Sequence, residues 1–235
     1  MADLFNIMEN HGVKIGDDEK KFLEIFLNEV ISFNKELNLT RISDFDEGII
    51  RHIEDSLTAL PYFVLAPEGQ YIDLGSGSGF PAIPLSYMTK RSCSLTDSIQ
   101  KKAHALNKII ENIGTQEYMH CYDQRIEDVA KNFGAVYSVA TARALAPLAS
   151  LLELASPLLK KNGIAIFFKG TPTEEEQTKA KDVAEYVGFT LVEQKELSLS
   201  DGSHRELFVY KKTHEPKISL PRRVGMAQKK PLKVK

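Results

Sequence analysis

Three glycines alternate with serine in Gly75-Ser76-Gly77-Ser78-Gly79, between the apolar, acid-bearing run Tyr71-Ile72-Asp73-Leu74 and a helical pattern from Ala82 to Tyr87. Residue type and spacing together describe a binding loop. Glycine takes positive φ without steric cost and lets a ligand approach where a Cβ would stand. The free N–H groups at the following helix start suit the polar end of a nucleotide-like cofactor. A second acid, Asp97, closes the next apolar run, 24 residues beyond Asp73. A carboxylate there can accept both ribose hydroxyls. Capping the following helix is the alternative use of that group, although Ser98 is available to cap instead. The spacing is not the dinucleotide pattern G-x-G-x-x-G, because Phe80 holds the final glycine slot and Gly79 comes early; no G-K-[ST] follows, so a P-loop is excluded. A glycine-rich surface turn is the plain alternative.

The order D-x-G-x-G-x-G at Asp73–Gly79 resembles motif I of class I S-adenosylmethionine (SAM) methyltransferases, and this resemblance names SAM as the expected cofactor. Ligands of doubly wound sheets collect beyond the carboxyl ends of the strands, so the residues closing each apolar run are the ones to weigh. Asp73 either meets the methionine ammonium, directly or through water, or only braces the glycine turn. Gln124-Arg125-Ile126-Glu127-Asp128 either lines an adenine pocket or is a charged helix start. Arg143, in Thr141-Ala142-Arg143-Ala144, can hold a substrate phosphate or the methionine carboxylate, since arginine binds anions bidentately and keeps its proton; a surface ion pair is the alternative. Lys169, in Phe167-Phe168-Lys169-Gly170, offers a second cation to the same mouth, with the same alternative.

The elements that must position these groups follow from periodicity. Apolar runs end at Leu74, Leu95, Cys121, Val139 and Phe168, with helical patterns at 82–88, 98–112, 125–131 and 147–160 between them. Such alternation predicts a parallel sheet with right-handed crossovers. After a helical, acid-rich 173–187, the runs from Phe189 to Val192 and from Glu206 to Tyr210, joined through Asp201-Gly202-Ser203, predict a closing antiparallel pair. The expected fold is α/β and Rossmann-like: a mostly parallel seven-stranded sheet with an antiparallel last strand. Before it, residues 1–65 read as a helical cap. Phe22, Ile25, Phe26, Val30, Phe33 and Leu37 form a stripe at three-and-four spacing, and Asp44 with Glu47 resembles a capping box before a helix to about Leu60. The organisation expected is a helical extension over 1–65, a SAM-binding domain over 66–212 and a basic tail over 213–235.

Composition narrows the class. Two cysteines, Cys93 and Cys121, exclude a disulfide framework and fit a reducing compartment. The N-terminus lacks the order of a signal peptide and no apolar run approaches a membrane span, so a cytoplasmic chain without membrane contact is expected. The six histidines have no zinc spacing, so no metal site is expected. No G-x-S-x-G elbow supports a hydrolase. The net charge of −2 hides an asymmetry: residues 211–235 hold nine Lys/Arg against one acid, a surplus of +8, leaving −10 on the rest. An acidic body with a basic tail suits a polyanionic partner, or the tail is merely solvated.

Spread over most of the chain, further motifs resemble one family, the bacterial small-subunit ribosomal RNA guanine-N7 methyltransferases called RsmG or GidB. They are Asn38-Leu39-Thr40, Arg51-His52-x-x-Asp55-Ser56-Leu57, the glycine turn with Phe80-Pro81, Asp97-Ser98-x-x-Lys101-Lys102, Arg125-Ile126-Glu127, Thr141–Ala144, Lys169-Gly170, and Pro221-Arg222-Arg223-x-Gly225 with Lys229-Lys230-Pro231-Leu232. Phe80-Pro81-Ala82 stands where Leu-Pro-Gly is usual, a change that removes no charge and no glycine the turn needs. The resemblance implies SAM contacts at Gly75, Phe80, Ile126, Glu127 and Arg143, with Asp97 and Ser98 nearby. It implies methyl transfer to N7 of a guanosine in 16S ribosomal RNA, in the decoding-region loop of the small subunit; separately, a monomer is expected. Guanine N7 is already a lone-pair acceptor, so no general base is expected, and Arg143 and Lys169 would serve as positioning groups. Arg51, His52, Arg222, Arg223, Lys229 and Lys230 would hold the RNA, while Asn38 and Asp55 would shape a base pocket or be occupied by packing and ion pairs. A SAM enzyme of a small molecule or protein, and a non-catalytic ribosome-associated RNA-binding protein, are the other functions kept open.

Overall fold

Alternation along the strands decides which helices meet which face of the sheet. The computed structural model describes residues 4–234; Met1–Asp3 of the N-terminal stretch and Lys235 of the basic tail lie outside them. The strands are β1 (Tyr71–Leu74), β2 (Cys93–Thr96), β3 (Met119–Tyr122), β4 (Tyr137–Arg143), β5 (Leu159–Lys169), β6 (Phe189–Ser198) and β7 (His204–Lys212). Among the described residues they form one seven-stranded sheet in the order β3-β2-β1-β4-β5-β7-β6. β1 to β5 pair in parallel, and β7 runs antiparallel between β5 and β6. The helices are α1 (Leu4–Asn10), α2 (Asp17–Leu37), α3 (Phe45–Gly48), a π-helical stretch Ile49–Glu54, α4 (Asp55–Leu57), α5 (Ala82–Thr89), α6 (Gln100–Asn112), α7 (Ile126–Phe133), α8 (Leu148–Ala155), α9 (Glu174–Tyr186) and α10 (Met226–Lys229).

The central strands are buried on both faces, which is why their sequences read as continuous apolar runs rather than alternating ones. Tyr71, Leu95, Val139 and Ile166 face one cluster, shared with Leu4, Phe26, Ile53, Ile83 and Leu106. Ile72, Leu74, Ala140 and Phe167 face the other, shared with Val129, Leu152 and Val183. The N-terminal helices therefore pack into the same apolar cluster as the sheet. Buried Glu54 ties them to the far end of the chain, accepting hydrogen bonds from the Ser200 amide (3.0 Å) and hydroxyl (3.0 Å) and meeting His11 Nε2 at 2.7 Å.

Three sequence expectations shift. In α2 the buried positions are Leu23, Phe26, Leu27 and Val30, while Ile25 of the expected stripe is exposed. β4 runs four residues past Val139, carrying Arg143 on its end. The helix expected over 147–160 stops at Ala155 and Leu159 already opens β5. Pro157 is the reason, since proline lacks the N–H and clashes with the preceding turn. Asp44 caps α3 as expected, accepting from the Glu47 amide at 2.9 Å.

The segment after β7 returns across α8. Ala227 of α10 is buried in the cluster that α8 helps to form, and the Ser150 hydroxyl donates to the Ala227 carbonyl at 2.6 Å. Arg222 meets Glu153 of α8 through two hydrogen bonds of 2.6 Å. Part of the basic tail, around Arg222 and Ala227, is thus docked structure.

Candidate functional site

Strand order reverses between β1 and β4, and the glycine turn leaves β1 at that crevice, where open α/β sheets bind ligands. Gly75, Gly77 and Gly79 all have positive φ, of 72°, 57° and 89°. They are needed for different reasons. A Cβ on Gly75 would lie 2.7 Å from Leu145, and one on Gly79 3.0–3.1 Å from Ile83, Leu106 and Phe26. A Cβ on Gly77 meets nothing nearer than 3.9 Å, because this glycine faces a cavity of about 360 Å³. The turn is held from β2: the Gly75 amide donates to Thr96 Oγ1 (3.1 Å) and the Gly77 amide to Asp97 Oδ2 (3.2 Å). Asp97 Oδ1 accepts from the Ile99 amide at 2.8 Å. Its carboxylate does brace the helix start, as the capping alternative has it, yet it also lines the cavity.

The opposite wall is a relay of side chains. The π-helical stretch carries His52 into the cavity wall, where its ring stacks on Phe80 at 4.4 Å. Arg143 Nη2 lies 3.1 Å from His52 Nδ1, and His52 Nε2 lies 3.0 Å from Thr40 Oγ1. Since guanidinium only donates, Nδ1 is the acceptor and the proton sits on Nε2. Burial, reinforced by the Arg143 charge, pushes the imidazole down to about 3, so it is neutral. Arg143 also donates to Asp55 Oδ2 (3.0 Å) and to the Arg51 carbonyl (3.0 Å). Asp55, fully buried, accepts from Arg205 Nε at 2.6 Å on its other oxygen. Asp55 is therefore committed to ion pairs, and it holds Arg143 in place.

At the β3 end, Glu127 lines the cavity with Ile126, Gln124 and Ser98. Its Oε1 accepts from the Gly225 amide at 2.6 Å, and Gln228 joins the lining. The C-terminal segment is part of the cavity wall. That role was missed in the sequence because the segment was read for its charge; Pro221, Gly225 and the apolar Met226-Ala227 were the local signs of docking.

Other expected residues land elsewhere. Asp73 is buried behind the turn, where Thr141 Oγ1, its register partner on β4, donates to its carboxylate. Burial pushes Asp73 up to about 6, against the Thr141 and Ser76 hydrogen bonds that pull it down. It does not line the cavity, and the bracing role fits that geometry. Lys169 points to the other face: its strand neighbour Phe168 joins the cluster of the N-terminal helices, so one step of alternation sends Lys169 toward α9, where it pairs with Glu176 at 2.7 Å. Arg51 pairs with Asp201 (2.8 Å) and Glu47 (3.3 Å). Arg222 is the pin on Glu153, whereas Arg223, Lys229 and Lys230 are exposed. Cys93 and Cys121 are buried and unpaired. Among the described residues no His/Cys/Asp/Glu group could hold a metal ion, and no helix is long and apolar enough to cross a membrane.

The cavity fits an adenosyl cofactor. It offers an open glycine where a Cβ would intrude, a carboxylate at the end of β2, a second carboxylate at the start of α7, and a guanidinium at the end of β4.

A family model described as GidB, rRNA small subunit methyltransferase G, matches residues 19–207. The chain is similar to the ribosomal RNA small subunit methyltransferase G of Streptococcus suis (strain 05ZYH33), at 30% identity over 97% of this chain and 98% of that one. It is 32% identical to the protein of the same description from Alkaliphilus metalliredigens (strain QYMF), over 94% of each. Among solved structures, a geranyl diphosphate methyltransferase in complex with GPP and sinefungin matches with a TM-score of 0.55 at 12% identity, over 67% of this chain and 76% of that one. Geranyl diphosphate C-methyltransferase from Streptomyces coelicolor A3(2) matches with a TM-score of 0.51 at 12% identity, over 63% and 73%. At these identities the two structures share the fold alone.

Proposed function

Because the chain belongs to the GidB family of small-subunit ribosomal RNA methyltransferases, we propose that it transfers the methyl group of SAM to N7 of a guanosine in 16S ribosomal RNA. The observation that supports the choice of atom is the committed state of His52 and Asp55, the two groups that flank Arg143 at the end of β4. His52 is neutral, with one ring nitrogen accepting from Arg143 and the other donating to Thr40. Asp55 is neutralised by two arginines. His52 and Asp55 are therefore not available to strip a proton, and guanine N7 needs none removed.

SAM, when bound, supplies an electrophilic methyl on a positive sulfur. The chain supplies position and field. Asp97 has two lone-pair sites left after its amide contacts and would take the ribose hydroxyls. Glu127 Oε2, not engaged by Gly225, would face the adenine end. Phe80, stacked on His52 and packed against Phe26 of α2, gives the cavity an apolar wall toward the N-terminal helices. Arg143, pre-aimed by Asp55 and His52, would hold the methionine carboxylate or an RNA phosphate at no cost in reorganisation. Alignment accounts for the rate in such a displacement. Exposed Arg223, Lys229 and Lys230, beside the docked segment, would meet the RNA backbone.

Incubating the protein with methyl-labelled SAM and small subunits or their RNA tests this. Label on one guanosine, with borohydride–aniline scission at that base, is expected. Label on an exocyclic amine, on ribose, or nowhere in the RNA would refute it.

A further inference from the structure

A second cleft opens next to the cofactor cavity. Its volume is about 790 Å³, and it shares Leu39, Thr40 and Lys102 with the first as a common wall. The rest of its lining comes from the last turns of α2 and the loop that follows, with Lys35, Arg41, Asn34 and Asn38 among it, and no acid. Lys35, Arg41 and Lys102 form no ion pair among the described residues. Arg51 and Arg143, near the adjoining cavity, are instead paired with acids. Lys35 in the last turn of α2 complements the helix dipole, but Arg41 lies beyond that helix and Lys102 on α6, so the dipole does not explain the cluster.

The loop wall is also fixed in advance. Asn34 Oδ1 accepts from the Thr40 amide at 2.8 Å and Asn34 Nδ2 donates to the Ile42 carbonyl at 3.4 Å. Thr40 Oγ1 accepts from the Ile42 amide at 3.2 Å and faces His52. Asn38 stands at φ 48°, which asparagine tolerates, and its side chain belongs to the cleft lining. A rigid, acid-free trough with three unneutralised cations, opening into a methyl-donor cavity, is what a single-stranded polyanion needs.

We propose that this cleft receives the RNA strand beside the target nucleotide, with Lys35, Arg41 and Lys102 on its phosphates. The proposal rests on the methyltransferase function argued above and places the substrate contact on residues other than Arg51 and Arg222, which are spent on ion pairs. Lys35 and Arg41 are exposed, so Lys35→Gln/Arg41→Gln leaves the fold intact, checked by thermal melting. A fluorescent fragment of small-subunit ribosomal RNA is titrated with wild type and the double variant across a salt series. The dissociation constant of the variant should rise roughly tenfold, and the slope of its logarithm against log salt should fall by about 1.4, two single-strand phosphate contacts being lost. SAM affinity by calorimetry should be unchanged. Equal RNA affinity and slope in both proteins, with wild type methylating that RNA, would overturn the cleft assignment while leaving the function in place. Equal loss of SAM and RNA affinity would overturn it too. A wild-type protein that binds SAM yet methylates no small-subunit RNA would overturn the function and the cleft together.

Discussion

At the glycine turn the cavity is walled by backbone, and on the side of the N-terminal helices by polar side chains that Arg143 of β4 reaches across to meet. The glycine turn needs only φ, the absence of Cβ atoms, and hydrogen bonds from its amides to Thr96 and Asp97 about 20 residues away. The helical wall needs Arg143 to find Asp55 across 88 residues and Arg205 to find the same acid across 150. The first wall is a local conformation set by β1, the turn and the end of β2. The second exists only when three distant segments are folded, so it reports the integrity of the whole chain. Damage to the two walls should therefore read out differently.

Asp55→Ala should show the largest effect. It strands two partly buried arginines, and breaking a buried pair in this way costs about 3–5 kcal/mol, read as a lower denaturant midpoint with unchanged slope. Asp97→Ala, on the backbone wall, removes two amide contacts worth about 1 kcal/mol each; its main loss should be SAM affinity, measured by calorimetry. If Asp97→Ala unfolded the chain as readily as Asp55→Ala, the distinction between the walls would fail. Arg222→Ala ranks below Asp55→Ala. Freed from Glu153, the Gly225–Gln228 edge of the cavity should loosen, weakening SAM about tenfold, or ~1.4 kcal/mol, with a smaller loss of stability. Unchanged SAM affinity would mean that the tail only decorates the cavity.

Legibility followed the same division. Turn, strands and the Asp97 position were written in local residue order, because φ preferences and apolar runs act over a few residues. The register was not. The direction of Lys169 depends on one step of alternation, and no periodicity within β5 distinguishes the two faces of a strand buried on both. The tail misled for another reason: net charge describes a segment's partners only if its charges are free, and Arg222 is consumed within the fold. Pro157, by contrast, was a visible stop signal at the end of α8 that the apolar run across it obscured.

A smaller effect should appear in the pH dependence of stability. His52, pushed down to about 3, binds fewer protons folded than unfolded between that value and its ordinary 6.5, so its contribution makes stability rise with pH over that window and stay flat above it. Asp73, pushed up to about 6 from an ordinary 3.8, holds its proton longer when folded and makes stability fall as pH rises between those values. The two oppose each other between pH 4 and 6. Unfolding midpoints of His52→Gln should fall with rising pH there, and those of Asp73→Asn should rise; identical profiles in both variants would contradict the assigned states.

The most direct test is calorimetric titration of SAM into wild type and Gly77→Asn. Asparagine accepts the left-handed backbone that Gly77 adopts, so the turn keeps its shape while the new side chain enters the open space above it. Saturable one-site binding in wild type, and none in a variant that melts at the same temperature, is the predicted result. Equal binding in both would place the cofactor somewhere other than above this turn.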